Sequence, residues 1–188
     1  DTLRNNTVEK IVVEGWHDHS LMWLKNFPQV KYLKIEKCKA NNGVLEGFEY
    51  LTNLEKLEID CDGVKNIDFL KNCVRIKKLN IRLSSGVENI DALKHLTELE
   101  DLYISISGFS SSYTGLSYCK KLKNLEIDLE ESNIANILKN IKKCSALEKL
   151  HFSSEAEFNI KLNISNFHGM KQSDKLKRIN LEGLSLLK

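Results

Sequence analysis

The hexapeptide Leu54-Glu55-Lys56-Leu57-Glu58-Ile59 has apolar residues at its first, fourth and sixth positions. The same spacing of apolar residues occurs eight times along the 188 residues. The other copies begin at Val8, Val30, Ile76, Leu99, Leu122, Leu147 and Leu176. A short unit that recurs at a nearly fixed period is typical of a stacked array of repeats. The chain is therefore predicted to be one continuous array, a single domain over residues 1–188.

Each repeat is predicted to contain one strand and one short helix. In the hexamer, buried Leu57 and Ile59 would alternate with polar residues, as in a strand with one buried face. The fourth residues of successive hexamers are 22, 24, 22, 23, 23, 25 and 29 residues apart, so eight strands should stack in parallel. Apolar residues also stand nine, six and three places before each hexamer, as in Leu45, Phe48 and Leu51. A spacing of three predicts a short helical turn, often 3₁₀, behind the sheet.

The last interval, of 29 residues, should hold the least regular part of the array, from Ser153 to Asp174. Ser173 also puts a polar residue where the other units have an apolar one. Within this segment four apolar residues alternate with polar ones, which predicts an extra strand or extended strip. These residues are Phe158, Ile160, Leu162 and Ile164.

The L-x-x-L-x-L hexamer at a period of 22 to 25 residues resembles the leucine-rich repeat family, over essentially the whole chain. The segment from Gly86 to Leu99 is similar to the subclass found in internalins and in the leucine-rich regulatory subunit of protein phosphatase 1. The resemblance implies an α/β solenoid of eight strand-plus-helix units, with a parallel sheet on its concave side and a role in binding. The ninth position departs from the family pattern of Asn or Cys, and four residues could replace them there: Cys38, Asp62, Ser84 and Ser107.

Composition and charge limit the classes of partner. The chain is 41% hydrophobic and 29% charged, with a net charge of +2 and interleaved acids and bases. The lack of a basic face argues against nucleic acid, and no apolar run approaches the roughly 18 residues of a membrane span. Because the chain has no initiator Met and no polar end cap, we expect it to be a fragment of a longer protein.

Three of the five cysteines, Cys73, Cys119 and Cys144, share the position three places before a hexamer. That position is apolar in other units, so these thiols are predicted to be small core residues. Cys61 fits neither this position nor the ninth one. An odd number of cysteines without CxxC pairs favours a reducing location, cytoplasmic or nuclear.

The sequence does not predict catalysis or metal binding. Trp16-His17-Asp18-His19 has two His that could share a metal ion, but no third ligand is evident. The alternative is a polar turn, with Trp16 and Trp23 covering the end of the core. No P-loop, nucleophile elbow or glycine fingerprint occurs. The sequence predicts a non-enzyme without a metal or cofactor.

The candidate binding site is the outward face of the strands, formed by the third, fifth and seventh residues of each unit. The third residues are mainly basic and the seventh mainly acidic, so a polar, charged protein partner is expected. A merely solvated sheet is the alternative, and Tyr103 is the best single anchor. Because middle strands have neighbours on both sides, the predicted site consists of Lys56, Glu58, Lys78, Asn80, Arg82, Asp101, Tyr103, Asn124 and Glu126.

The favoured function is a protein–protein interaction module, the partner- or substrate-binding part of a larger intracellular protein. A ubiquitin-ligase receptor or a phosphatase-targeting subunit would be examples. Two alternatives remain: a structural spacer in a large assembly, and a pathogen adhesin or effector of internalin type.

The second hexamer residue alternates in charge without exception. In a parallel stack such residues are lateral neighbours, so the alternation predicts ion pairs between units and a penalty for misaligned stacking. The residues are Glu9, Lys31, Glu55, Lys77, Glu100, Lys123, Glu148 and Lys177.

Overall fold

A computed structural model describes residues 7–16, 20–40, 43–84, 86–107, 113–128, 134–153, 161–163, 175–181 and 185–187. The strands in these ranges are β1 Lys10–Glu14, β2 Tyr32–Lys39, β3 Lys56–Asp62, β4 Lys78–Leu83, β5 Asp101–Ile106, β6 Asn124–Asp128, β7 Lys149–Ser153, β8 Lys161–Asn163, β9 Arg178–Leu181 and β10 Ser185–Leu187. Eight of them form one sheet in the order β1-β2-β3-β4-β5-β6-β7-β9, with every pair parallel. The predicted eight-stranded parallel sheet is confirmed.

The same backbone contact aligns all seven pairs of strands. The carbonyl oxygen of the second hexamer residue accepts two hydrogen bonds from the next unit, as Glu9 does from the N–H groups of Lys31 and Tyr32, at 2.8 and 2.9 Å. The corresponding carbonyls of Lys31, Glu55, Lys77, Glu100, Lys123 and Glu148 repeat it, with distances of 2.8 to 3.2 Å. The hexamers are therefore stacked in register.

The spacing of three corresponds to a chain of 3₁₀ hydrogen bonds. Leu24 donates its N–H to the carbonyl of Leu21, Phe27 donates to Leu24, and Val30 donates to Phe27. Five 3₁₀ helices of this kind occur in the described ranges: Met22–Asn26, Phe48–Tyr50, Asp68–Asn72, Asp91–His95 and Thr114–Tyr118. Each apolar residue is thus one turn from the next, and all lie on the buried side. The predicted short helices are confirmed.

The sixth unit has room for a longer helix, α1, over Ile134–Ile141. Its buried residues Ile134, Ile137, Leu138 and Ile141 follow the i, i+3, i+4, i+7 spacing of an α-helix with one apolar face. The hexamers on either side are 25 residues apart, more than in any earlier unit, which allows α-helical rather than 3₁₀ geometry.

The core is continuous along the stack, because strand residues such as Leu57 and helix residues such as Phe48 bury against one another. At its first end, the Trp16 and Trp23 rings lie 5.9 Å apart and pack against the core. This agrees with the predicted covering role of both tryptophans. His17 and His19, the two possible metal ligands, and Asp18 between them lie outside the described residues.

The described part of the last unit departs from the regular pattern, whereas most of the segment from Ser153 to Asp174, which is predicted to be the least regular, lies outside the described residues. Leu162 belongs to β8, the expected extra strand, which pairs with β10 in a separate two-stranded sheet. Ile179 on β9 is 42% exposed, although the equivalent Leu150 on β7 is buried. Phe158, Ile160, Ile164 and Ser173 lie outside the described residues.

A disulfide joins Cys38 and Cys61, which the sequence did not predict. Ile35 pairs with Ile59, but a bulge after Ile35 shifts the register by one residue, so that Cys38 faces Cys61 instead of Asp62. Lys37 lies in this bulge with a positive φ of 54°. Cys38 is therefore not the expected turn ligand.

Ser84, another residue at the ninth position, does act as a turn ligand. Its hydroxyl accepts a hydrogen bond from the N–H of Gly63 at 3.1 Å. The serine at this position thus satisfies a turn backbone of the preceding unit. The expectation for Ser84 is confirmed.

The alternating charges form ion pairs between units. The ammonium groups of Lys31, Lys77, Lys123 and Lys177 lie 2.7, 2.9, 2.7 and 2.8 Å from carboxylate oxygens of Glu9, Glu55, Glu100 and Glu148. Each lysine contacts the glutamate of the preceding unit. The hydrogen bond from Lys77 lowers the pKa of Glu55, and Lys31 on the other side lowers it further. The predicted ion pairs between units are confirmed at these four junctions, and the penalty for misaligned stacking stays a prediction.

Replacing Glu100 with Lys should lower the melting temperature, because it puts a cation between Lys77 and Lys123. The loss should be larger near 0.01 M salt, where the Debye length is about 30 Å, than near 1 M salt, where it is about 3 Å. Glu88→Lys makes the same charge change at an exposed residue outside the ladder and is the control. Thermal unfolding by circular dichroism measures both. An equal loss for Glu100→Lys at the two salt concentrations would contradict the electrostatic role of the ladder.

Candidate functional site

The outward side chains of six strands, β3 to β7 and β9, enclose a groove of about 530 Å³. Strand alternation buries residues four and six and turns residues three, five and seven outward. The in-register pairing then arranges them in rows, such as Asn80, Tyr103 and Glu126 across β4, β5 and β6. The polar lining residues are Lys56, Glu58, Lys78, Asn80, Asp101, Tyr103, Asn124, Glu126, Lys149, His151, Arg178 and Asn180.

Eight of the nine predicted site residues line this groove. The ninth, Arg82, adjoins it through Tyr103, since its guanidinium carbon lies 4.9 Å from the centre of that ring. This distance allows a cation–π contact. Asn80 and Glu126 are the register neighbours of Tyr103, whereas Asn124 donates a hydrogen bond to Asp101. The structure thus brings the predicted residues together on one surface.

Four lining residues were missed: Lys149 and His151 on β7, and Arg178 and Asn180 on β9. They occupy the same outward positions as the predicted ones. Restricting the prediction to the middle strands left them out, although the hexamer pattern alone identifies them as outward-facing.

In the part of the groove formed by the earlier strands, the charges are paired. Glu58 accepts hydrogen bonds from the Tyr32 hydroxyl, at 3.1 Å, and pairs with the Lys56 ammonium, at 2.7 Å. The hydrogen bond from Lys56 is the main cause of the lowered pKa of Glu58. The ammonium groups of Lys10 and Lys56 also lie 5.0 and 4.7 Å from the centre of the Tyr32 ring. The charged groups of Glu58 and Lys56 are thus partnered within the groove.

The charged groups in the middle of the groove are also paired. Asp101 pairs with Lys78 at 3.0 Å. Partial burial acts to raise the pKa of Asp101, but the hydrogen bonds from Asn124 and Lys78 outweigh burial and lower it. The carboxylates of Glu58 and Asp101 are therefore ionised and partnered, which suits recognition rather than proton transfer.

Within the described ranges, no three His, Cys, Asp or Glu residues come close enough together to hold a metal ion. The same ranges contain no helix with the length and apolar character needed to cross a membrane.

The three free cysteines, all described, are buried as predicted. Each thiol lies close to a carbonyl oxygen in the preceding unit: Cys73 to Phe48 at 3.5 Å, Cys119 to Leu93 at 3.5 Å and Cys144 to Leu116 at 3.2 Å. Burial raises the thiol pKa to about 12 for Cys73 and Cys119 and to about 11 for Cys144. These groups are unsuited to nucleophilic or redox chemistry.

Thiol labelling should report this arrangement directly. In the folded protein at pH 8, iodoacetamide should label none of the five cysteines, because three are buried and two are disulfide-bonded. Unfolding without reductant should expose three reactive thiols, and unfolding with reductant five, as counted by intact mass. Rapid labelling of Cys38 and Cys61 in the air-oxidised folded protein would contradict the disulfide.

No protein-family model matches the sequence, and no curated protein matches it. Among solved structures, internalin F and internalin C2 of Listeria monocytogenes both superpose with a TM-score of 0.66, at 16% and 14% identity. The alignments cover 96% and 93% of this chain, and 49% and 80% of those chains.

A leucine-rich repeat protein of Leptospira interrogans superposes with a TM-score of 0.63 at 15% identity, covering 97% of this chain and 42% of the other. This chain therefore spans about half of internalin F and less than half of the Leptospira structure. The fold that these similarities show is the leucine-rich repeat solenoid.

Proposed function

We propose that this domain is a protein-binding module whose partner lies in the groove. The observation that carries the proposal is that outward side chains from six in-register strands enclose about 530 Å³ on one surface. The volume is within the range of ligand clefts, and the extent of the groove across six strands suits a peptide segment or a protruding loop. Its polar lining favours a polar partner.

Part of the groove is ordered before binding. Lys56 already pairs with Glu58 and Lys78 with Asp101, which lowers the side-chain entropy that a partner has to remove when it binds. Tyr103 and Arg82 stack near the centre, and Tyr and Arg are enriched among residues that dominate interfaces. The proposal includes no catalytic step.

The domain is proposed to be part of a larger protein, because the similar internalin F and Leptospira chains extend well beyond the aligned region. The finer resemblance to the regulatory subunit of protein phosphatase 1 stays a prediction.

The predicted cytoplasmic or nuclear location also stays a prediction, and the Cys38–Cys61 disulfide counts against it. Disulfides persist mainly in oxidising compartments. This observation favours a second candidate: a recognition module exposed to an oxidising environment, like the internalin-type adhesin considered above. Both candidates use the same groove and differ in where the partner resides.

Replacing Tyr103 and Arg82 together with Ala should reduce capture of the native partner from source cells at least about tenfold, a loss of about 1.4 kcal/mol. Surface changes should leave the melting temperature within a few degrees. Quantitative crosslinking mass spectrometry measures the capture.

The matched control replaces Tyr118 and Lys94 with Ala, an exposed aromatic residue and an exposed cation on two of the 3₁₀ helices. Capture by the control should equal that by the unaltered protein. Unchanged capture by the groove variant, or an equal loss in the control, would contradict the proposed site.

A further inference from the structure

The last two strands of the main sheet present two adjacent cations that form no ion pair with the residues that the structure describes. Lys149 on β7 and Arg178 on β9 are register partners, so their backbones lie about 4.8 Å apart. Both residues are exposed and both line the groove. Within the described ranges, neither forms an ion pair, whereas Lys56 and Lys78 in the same row pair with Glu58 and Asp101.

This difference matters for binding. Adjacent like charges across a sheet repel and cost stability, so the pair is not explained by folding. A carboxylate that approaches Lys56 or Lys78 must compete with Glu58 or Asp101. One that approaches Lys149 and Arg178 displaces no ion-paired carboxylate of the described residues, although Glu148, next to Lys149 in the chain, attracts that lysine at longer range.

The next row of the same strands supplies further polar groups. His151 and Asn180 are register partners beside the two cations, and both line the groove. The Asn180 amide is a hydrogen-bond donor. The Nδ1 atom of His151 lies 3.6 Å from a Glu126 carboxylate oxygen, which marks where the cationic part of the groove ends.

We infer that Lys149, Arg178 and Asn180 bind carboxylate side chains of an acidic segment of the protein partner. Arg178 can bind a carboxylate through two parallel hydrogen bonds, and Lys149 adds a second positive charge. The inference rests on the proposed function, since it assigns the chemistry of one part of the same groove.

The rest of the groove limits the occupant. Glu126 also lines it beside the two cations, and Lys56 and Lys78 are already paired with Glu58 and Asp101. The rest of the groove therefore offers a uniformly anionic polymer or membrane surface only lysines that are already paired. A protein segment can instead place its acidic residues against β7 and β9 and its polar or basic residues against Glu126. In an extended segment, alternate residues lie about 6.6 Å apart on one side, which lets two carboxylates reach the two neighbouring cations.

The test uses a fluorescein-labelled peptide with Glu at alternate positions in one half and Gly and Ser elsewhere. Fluorescence anisotropy measures its binding to the whole domain at low salt. Lys149→Gln with Arg178→Gln should weaken binding at least about tenfold, about 1.4 kcal/mol. Lys25→Gln with Lys94→Gln removes the same charge from exposed positions on two 3₁₀ helices and should change binding less than twofold. A peptide with Gln in place of Glu should not bind detectably.

The inference would be overturned by no binding of the Glu peptide, by equal binding of the Gln peptide, or by equal weakening by both double variants. Tenfold tighter binding of a phosphoserine peptide would also overturn it, by reassigning the site to phosphate. Thermal unfolding of both double variants confirms that they are folded.

The proposed function can fail separately. If Tyr103→Ala with Arg82→Ala abolishes capture of the native partner while Lys149→Gln with Arg178→Gln leaves both capture and peptide binding unchanged, the groove binds the partner without the acidic contact. If neither double variant reduces capture of the native partner, the partner binds outside the groove. This conclusion does not depend on the result of the peptide-binding measurement.

Discussion

The structure depends on one repeated backbone contact, the carbonyl of the second hexamer residue accepting two N–H groups from the next unit. It occurs at all seven junctions of the main sheet, from Glu9 to Glu148. Because each junction has the same register, apolar residues form continuous buried columns and outward residues form continuous rows. The side chains at the same position carry the alternating charges, so ion pairs between units reinforce the alignment that the backbone sets.

The outward surface follows from this alignment. Residues far apart in sequence, such as Lys56 and Arg178, line one groove because each occupies the third position of its hexamer. Glu58 and Asp101 on the earlier strands are paired with Lys56 and Lys78, whereas Lys149 and Arg178 on β7 and β9 form no ion pair with the described residues. The charge of the groove thus changes along the stack, which would give the proposed bound segment a preferred direction.

Much of the fold could be predicted from the sequence, because the repeats show which residues of successive strands lie next to one another. The hexamers predict the strands, the spacing of three predicts the 3₁₀ bonds, and the shared slot of Cys73, Cys119 and Cys144 predicts their burial. The Cys38–Cys61 disulfide could not be predicted, because it needs a one-residue bulge at Lys37 that the alternation of side chains does not reveal. Arg178 and Asn180 were recognised as outward-facing from their hexamer positions but were left out of the predicted site, because that site was limited to the middle strands. β9 joins the same sheet despite the long interval before it.

The central claim is that the groove is the binding surface, and hydroxyl-radical footprinting of the domain with and without its captured partner tests it most directly. Tyr103 and His151 lie in the groove, whereas Tyr50 and Tyr118, which are 37% and 56% exposed, lie on 3₁₀ helices. Partner binding should reduce oxidation of Tyr103 and His151 and leave Tyr50 and Tyr118 unchanged. Protection of Tyr50 or Tyr118 with undiminished oxidation of Tyr103 would place the partner on the helices and contradict the account.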